Sequence, residues 1–193
     1  MKLRSTERSA KILIDFADEY IFLGKKILDL GAGDGSLGKF IINQEDYYPV
    51  DIRQIDHPNW IEADFNNRAG WTRGLNHSLD PRDFDYVFAS MILEHVFRPE
   101  RLIKVIHRLL KKGGSLIVAV PDEDSFIYRI QAPFKRNKLI QEQYFGHHYS
   151  FTYRNAHTLL SEYFDIEKVA GRFGITSKHL IGIAPAVLFL CTK

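Results

Sequence analysis

The stretch Ile27-Leu28-Asp29-Leu30-Gly31-Ala32-Gly33-Asp34-Gly35 constrains this chain more than any other part of it. A short apolar run enters a turn rich in glycine, which reads as a buried strand whose end bends sharply into the next element. Leu37, Phe40 and Ile41 follow at the spacing of a helix face, so the expectation is strand, turn, helix. Units of this kind build open α/β sheets, which bind ligands beyond the carboxyl ends of their strands.

The flanking sequence repeats the alternation. Ile12, Leu13, Phe16, Ala17 and Tyr20 lie at helical spacing, with Ser5 or Thr6 upstream as a cap, which predicts an N-terminal helix over about residues 5–23. Tyr47 to Asp51 reads as a second strand, Trp60 to Ala63 as a weak third, and Phe84 to Ala89 as a fourth buried on both faces. Pro99 suits a helix first turn, Leu102, Val105, Ile106, Leu109 and Leu110 form its stripe, and Gly113-Gly114 follow Lys111-Lys112 as an end signal. Ser115 to Val120 is a fifth strand. Residues 122–150 lose the pattern and read as an insertion or lid; a helix resumes after Thr152 through Ala156, Leu159, Leu160 and Tyr163. Phe164 to Val169 and Ala184 to Thr192 supply two last strands. Strands alternating with helices predict a mostly parallel sheet covered on both faces, in one domain over residues 1–193.

Composition narrows the partners. The 193 residues are 45% hydrophobic, enough for a sizeable core, and 26 Lys and Arg against 24 acids give a net charge of only +2. Without a basic excess to neutralise a row of phosphates, no nucleic acid partner is expected. The single cysteine, Cys191, excludes a disulfide framework and fits a reducing cytoplasm. Lys11, Asp15, Asp18 and Glu19 interrupt what an export signal would need to be apolar. The longest apolar run, Leu180 to Cys191, is broken by Pro185 and falls short of the roughly 20 residues of a membrane span. A cytoplasmic chain is therefore expected, with a basic cluster at Lys135, Arg136 and Lys138 as its one local charge anomaly.

The glycine turn carries acids where a phosphate cofactor would need bare amides. Gly33, Gly35 and Gly38 match a dinucleotide fingerprint, but counted from Gly31, where the strand ends, the third glycine falls on Ser36. A pyrophosphate would also lie beside Asp34, with Asp29 close behind. Asp51 ends the second strand, placed to accept hydrogen bonds from ribose hydroxyls, and Asp64 follows the third, placed to accept from an adenine amino group. Singly, each acid is equally explained as a turn residue or helix cap. Together, four acids at three successive strand ends favour an adenosyl group joined to cationic centres.

In these segments the chain resembles the class I S-adenosylmethionine-dependent methyltransferases, from about Lys25 to Asp122. Ile27 to Gly35 resembles the first motif, Val50-Asp51-Ile52 the acidic end of the second strand, and Glu62-Ala63-Asp64-Phe65 the adenine-binding segment. Phe84-Asp85-Tyr86-Val87, Leu93-Glu94-His95-Val96 and Leu109 to Gly114 look closest to the branch acting on quinones, lipids and other small molecules. The resemblance implies a Rossmann-like three-layer sandwich, with a seven-stranded, mostly parallel sheet whose last strand is antiparallel. It implies S-adenosyl-L-methionine as cofactor, with Asp29, Gly31 and Gly33 around its methionine part, Asp51 and Ile52 at the ribose, and Asp64 and Phe65 at the adenine. Ser90 and Met91 would offer backbone groups near its amino acid end.

Methyl transfer needs alignment more than a base, though a neutral hydroxyl acceptor would benefit from one. His95, His147 and His148 are the catalytic candidates, beside Glu94. Equally, Glu94-His95 can fix the turn after the fourth strand, and a histidine of 147–148 can cap the next helix while its aromatic neighbours fill the core. No further ligands for a metal are identifiable, so none is expected. Phe126, Tyr128, Phe134 and Tyr144 with Arg129, Lys135, Arg136 and Lys138 form either a lid over an apolar or anionic acceptor or a solvated surface. Ala89-Ser90-Met91-Ile92 lacks the Asn/Asp-Pro-Pro-aromatic signature of base-methylating enzymes, so a small-molecule or lipid-like acceptor methylated at oxygen or carbon is expected. A protein methyltransferase, a cofactor-binding regulatory subunit without turnover, and a nicotinamide oxidoreductase are the competing readings. Acceptor identity and oligomeric state are not encoded in any motif.

Overall fold

The computed structural model describes residues 4–17, 24–67, 79–131, 146–171 and 182–193. Helix α1 (Ser5–Ala17) precedes β1 (Ile27–Leu30), β2 (Tyr47–Asp51), the two-residue β3 (Ile61–Glu62) and β4 (Phe84–Ser90). Then come α2 (Pro99–Leu109), β5 (Leu110–Pro121), α3 (Phe126–Gln131), α4 (Tyr153–Ser161), β6 (Asp165–Gly171) and β7 (Ala186–Thr192). The seven strands form one sheet in the order β3-β2-β1-β4-β5-β7-β6. β1 to β5 pair in parallel, and β7 runs antiparallel between β5 and β6. This is the expected α/β Rossmann-like sheet with its last strand reversed.

Strand alternation sorts the core into two faces. Ile27, Phe88, Ile117 and Ala119 point to one side, where α1 lays Ala10, Leu13, Ile14 and Ala17 against them. Leu28, Leu30, Val87, Ala89, Leu116 and Val118 point to the other, under Leu102, Ile103 and Ile106 of α2 and Ala156 and Leu160 of α4. Helices on both faces make the three layers. Each buried Val, Leu, Ile or Phe among these stabilises the fold by about 1.5–3 kcal/mol relative to exposure. Chain order reverses between β1 and β4, the switch point where such sheets open a crevice.

The structure corrects the sequence reading at several places. The segment after the glycine turn is not an α-helix but a 3₁₀ turn, Ser36–Phe40. Gly38 lies in its middle because the Tyr47 ring comes within 2.6 Å of where a Cβ would stand, and glycine weakens a helix by about 1 kcal/mol. Ile41 is already extended. Helix α2 ends at Leu109: Leu110 pairs with Phe84, and Lys111 to Gly114 bulge out before pairing resumes at Ser115 and Tyr86. Lys111 and Lys112 thus belong to the start of β5. Within the expected irregular insertion, Phe126–Gln131 is helical. Residues 18–23 of the expected first helix, and Phe134, Lys135, Arg136, Lys138 and Tyr144, lie outside the described residues. Among the described residues no helix is long and apolar enough to cross a membrane.

Candidate functional site

At the carboxyl ends of β1 and β2 the backbone folds on itself: the N–H groups of Gly31 and Ala32 both donate to the Val50 carbonyl, at 2.8 and 3.1 Å. Gly31 has φ +71°, and a Cβ there would stand 2.9 Å from the Ile92 side chain, so the turn admits only glycine. On one side of Gly31 lies a cavity of about 290 Å³ bordered by Asp29, Gly33, Asp34, Ser90 and Met91, with Ser5, Thr6 and Ser9 of α1 as its far wall. On the other lies one of about 200 Å³ bordered by Asp51, Ile52, Asp64, Phe65, Asn66 and His95. The two share Gly31. All nine residues expected at a cofactor therefore border two adjoining cavities at the switch point.

Each acid there has a distinct setting. Asp29 is buried and accepts a 2.6 Å hydrogen bond from the Tyr47 hydroxyl. Burial pushes its pKa up to about 7; the Tyr47 bond opposes this and the Asp51 charge adds to it. Burial, with the Asp29 charge, pushes the Tyr47 hydroxyl far above its ordinary value, so it stays a donor. Asp34 would be raised by burial too, but hydrogen bonds from Ser36 and Thr6 outweigh that and hold it below the usual carboxylate range. Asp51 accepts the Gly33 N–H at 2.8 Å and the Arg53 N–H at 2.9 Å. Asp64 accepts the Asn66 N–H at 2.8 Å.

Two expected contributions differ in detail. Met91 is left-handed, φ +54°, and its N–H donates to the Ala119 carbonyl, so that N–H is already committed within the fold. Phe65 is almost wholly buried in the core as well as bordering the cavity.

The three histidines separate. His95 Nδ1 lies 2.6 Å from the Gly146 carbonyl, and the His147 ring meets the His95 ring edge-on at 4.8 Å. His148 instead stacks on the exposed Phe97 ring, 4.0 Å away. The Glu94 carbonyl accepts the N–H groups of His148 and Tyr149, so the Glu94-His95 turn does anchor the segment before α4. Neither histidine caps α4: Thr152 does, in a reciprocal pair with Asn155.

Several lining residues were not singled out by the sequence. Thr6 donates to Asp34 at 3.0 Å and accepts from Ser36, tying α1 to the glycine turn. Its only signal was as a helix cap. Asn66 donates to the His95 carbonyl and accepts the Phe97 N–H, joining the loops after β3 and β4. It had no sequence signal.

A family model described as a methyltransferase domain matches residues 3–167, most of the chain. This chain belongs to that family. The class I S-adenosylmethionine-dependent methyltransferase so identified is 28% identical over 111 residues to the mitochondrial ubiquinone biosynthesis O-methyltransferase of Schizosaccharomyces pombe, covering 54% of this chain and 40% of that one. It is 27% identical over 124 residues to the ubiquinone biosynthesis O-methyltransferase of Pseudomonas entomophila, covering 60% and 53%. The matches thus span about half or less of those relatives. Among solved structures, the methyltransferase superposes on an S-adenosylmethionine-dependent methyltransferase from Archaeoglobus fulgidus with TM-score 0.65 at 18% identity, covering 98% of this chain and 95% of that one. A second such enzyme, from Mesorhizobium loti, gives 0.59 at 15%, with 88% and 91% covered. Its cofactor is S-adenosylmethionine, and the nicotinamide reading falls away.

Proposed function

We propose that this methyltransferase transfers the cofactor's methyl group to a small-molecule or lipid-like acceptor, at oxygen in preference to carbon, within one domain formed by residues 1–193. The observation that carries the reading is the grouping of Glu94, His95 and His147 at the end of β4, beside the cavity that Asp51 and Asp64 border. The ubiquinone relatives, named as O-methyltransferases, support the same atom.

The cavities suit the cofactor in charge. The two meet at Gly31, and the carboxylates that border them complement a sulfonium and an ammonium group. In this reading Asp29, Gly31, Gly33, Ser90 and Met91 hold the amino acid part, Asp51 and Ile52 the ribose, and Asp64 and Phe65 the adenine. When bound, the cofactor supplies an activated methyl carbon open to in-line displacement.

The chain's own residues do the rest. Ile92, packed against Gly31, and Phe65 exclude water along the cavity wall. His95 has the geometry of a proton acceptor: its Nδ1–H donates to the Gly146 carbonyl, which leaves Nε2 with a lone pair for an acceptor hydroxyl. His147 packs on the His95 ring and fixes its position. His148, exposed and stacked on Phe97, takes no part in the His95–His147 contact. Holding the reactants aligned supplies most of the rate gain, up to roughly 7–11 kcal/mol.

The test is methyl transfer from labelled S-adenosylmethionine to a panel of hydroxylated aromatic and lipid-like acceptors, with peptides and RNA alongside. Label on an acceptor oxygen, reduced at least tenfold in His95→Gln, is the expected result. Label on peptide, or cofactor binding with no transfer to any acceptor class, contradicts the reading.

A further inference from the structure

Tyr47 borders neither cavity, yet its hydroxyl is the one hydrogen-bond donor that Asp29 has among the described residues, at 2.6 Å. Asp29 is 5% exposed and forms part of the wall of the cavity of about 290 Å³. Two other carboxylates lie near it, and the arginines there go to those: Arg4 stands 3.8 Å from Asp34 and Arg53 3.5 Å from Asp51. We propose that the Tyr47–Asp29 pair exchanges a proton for the ammonium group at the cofactor's amino acid end. Asp29 is protonated in the empty chain, the bound ammonium expels that proton, and Tyr47 sets the pH range of the exchange. This rests on the cofactor reading above.

A carboxylate withdrawn from water stays ionised when a cation or two to three donors balance its charge. Asp51 meets that condition with the N–H groups of Gly33 and Arg53, and the more exposed Asp34 with Ser36 and Thr6. Asp29, with one neutral donor, does not. Burial pushes its pKa up to about 7, the Tyr47 bond opposes this, and the Asp51 charge adds to it. An ammonium in the cavity supplies the missing opposite charge. The Asp29 O–H bond then breaks, the proton passes to solvent and the carboxylate keeps the electron pair; no covalent bond to the ligand forms. Affinity for the cofactor therefore rises with pH, by up to about tenfold per unit, and flattens above about pH 7.

The groups around Asp29 leave this titration to it. Burial, with the Asp29 charge, keeps the Tyr47 hydroxyl far above its ordinary value, so it is a fixed donor. Its ring is wedged in place: a Cβ on Gly38 would stand 2.6 Å from it, and the His57 ring meets it edge-on at 5.3 Å. Burial holds His57 itself below the ordinary histidine value, against the charge of Asp56. β4 contributes Phe88, Ser90 and Met91, and α1 contributes Ser5, Thr6 and Ser9, none of which titrates. Tyr47 thus acts through Asp29, as a positioning residue. Removing its hydroxyl strips the bond that favours the carboxylate, so the exchange moves to higher pH.

Calorimetric titration of the full chain in buffers of different ionisation enthalpy counts the protons released. Work at pH 6 and pH 7 stays below the range of about 7.7–8.0 in which α-amino groups titrate, so the cofactor's ammonium is charged throughout. S-adenosylmethionine and S-adenosylhomocysteine, which both carry the ammonium, are expected to release about one proton at pH 6 and about half at pH 7. Methylthioadenosine, which lacks the amino acid, releases none. Asp29→Asn abolishes the release, with circular dichroism checking that it is folded. Tyr47→Phe, the independent arm, raises the count at pH 7 toward one and weakens cofactor binding there about fivefold; a purely structural role for Tyr47 leaves the count at the parent value and overturns its part. Cofactor binding to the parent without proton release at pH 6, or the same release from folded Asp29→Asn or with methylthioadenosine, overturns the exchange. Binding without release refutes only the exchange, whereas no binding of S-adenosylmethionine refutes the cofactor reading beneath it.

Discussion

Gly31 and Asp29 carry the sharpest consequences at the scale of single residues. Ala at position 31 would have to adopt φ +71° and press a methyl group into Ile92. Gly31→Ala is expected to cost about 1–3 kcal/mol, read as a lower urea midpoint, and to weaken cofactor binding in parallel. Asp29 makes stability depend on pH. Its folded pKa, about 7, lies above the unfolded value of 3.8, so the folded state holds the extra proton between them. Its favourable contribution is full below about pH 4 and is lost as pH rises toward about 7, a swing on the order of 4 kcal/mol. Asn at 29 keeps an acceptor for the Tyr47 hydroxyl and cannot ionise. Urea unfolding from pH 4 to 8 is therefore expected to show a shallower decline for Asp29→Asn, which matches or exceeds the parent in stability above pH 7; an unchanged slope would refute the buried-acid account.

Among the elements, α4 offers a clean test of local design, since Thr152 and Asn155 satisfy each other's backbone N–H groups at its start. Thr152→Ala is expected to cost about 1 kcal/mol and lower Tm by about 2–4 °C in a thermal melt. That cap was present in the sequence only as a helix beginning after Thr152, and the difference shows what local patterns carry. β1, β4 and α2 were legible because their apolar periodicity matches the faces they bury. The 3₁₀ turn was not, because what shortens it is the Tyr47 ring against Gly38, a contact set by the pairing of β1 with β2. The early start of β5 likewise follows from Leu110 pairing with Phe84. The acids at the strand ends could be read one strand at a time, whereas the meeting of His95 and His147 depends on a loop returning to the end of β4. No spacing rule in the sequence records that return.

At the scale of the whole molecule, the sheet brings its two cavities to the reversal between β1 and β4, with Gly31 as their shared wall. A ligand bound there touches both faces of the fold, including α1, and stabilises the native state alone. S-adenosylmethionine at a hundred times its Kd is expected to add about 2.7 kcal/mol and raise Tm by about 5–10 °C. The most direct measurement compares calorimetric titrations of the parent and of Asp51→Asn with S-adenosylmethionine. Loss of a charge-assisted hydrogen bond of about 1.5–3 kcal/mol predicts roughly 10- to 100-fold weaker binding by the variant. Equal affinity in the two proteins would contradict the account of an acidic crevice built to receive this cofactor.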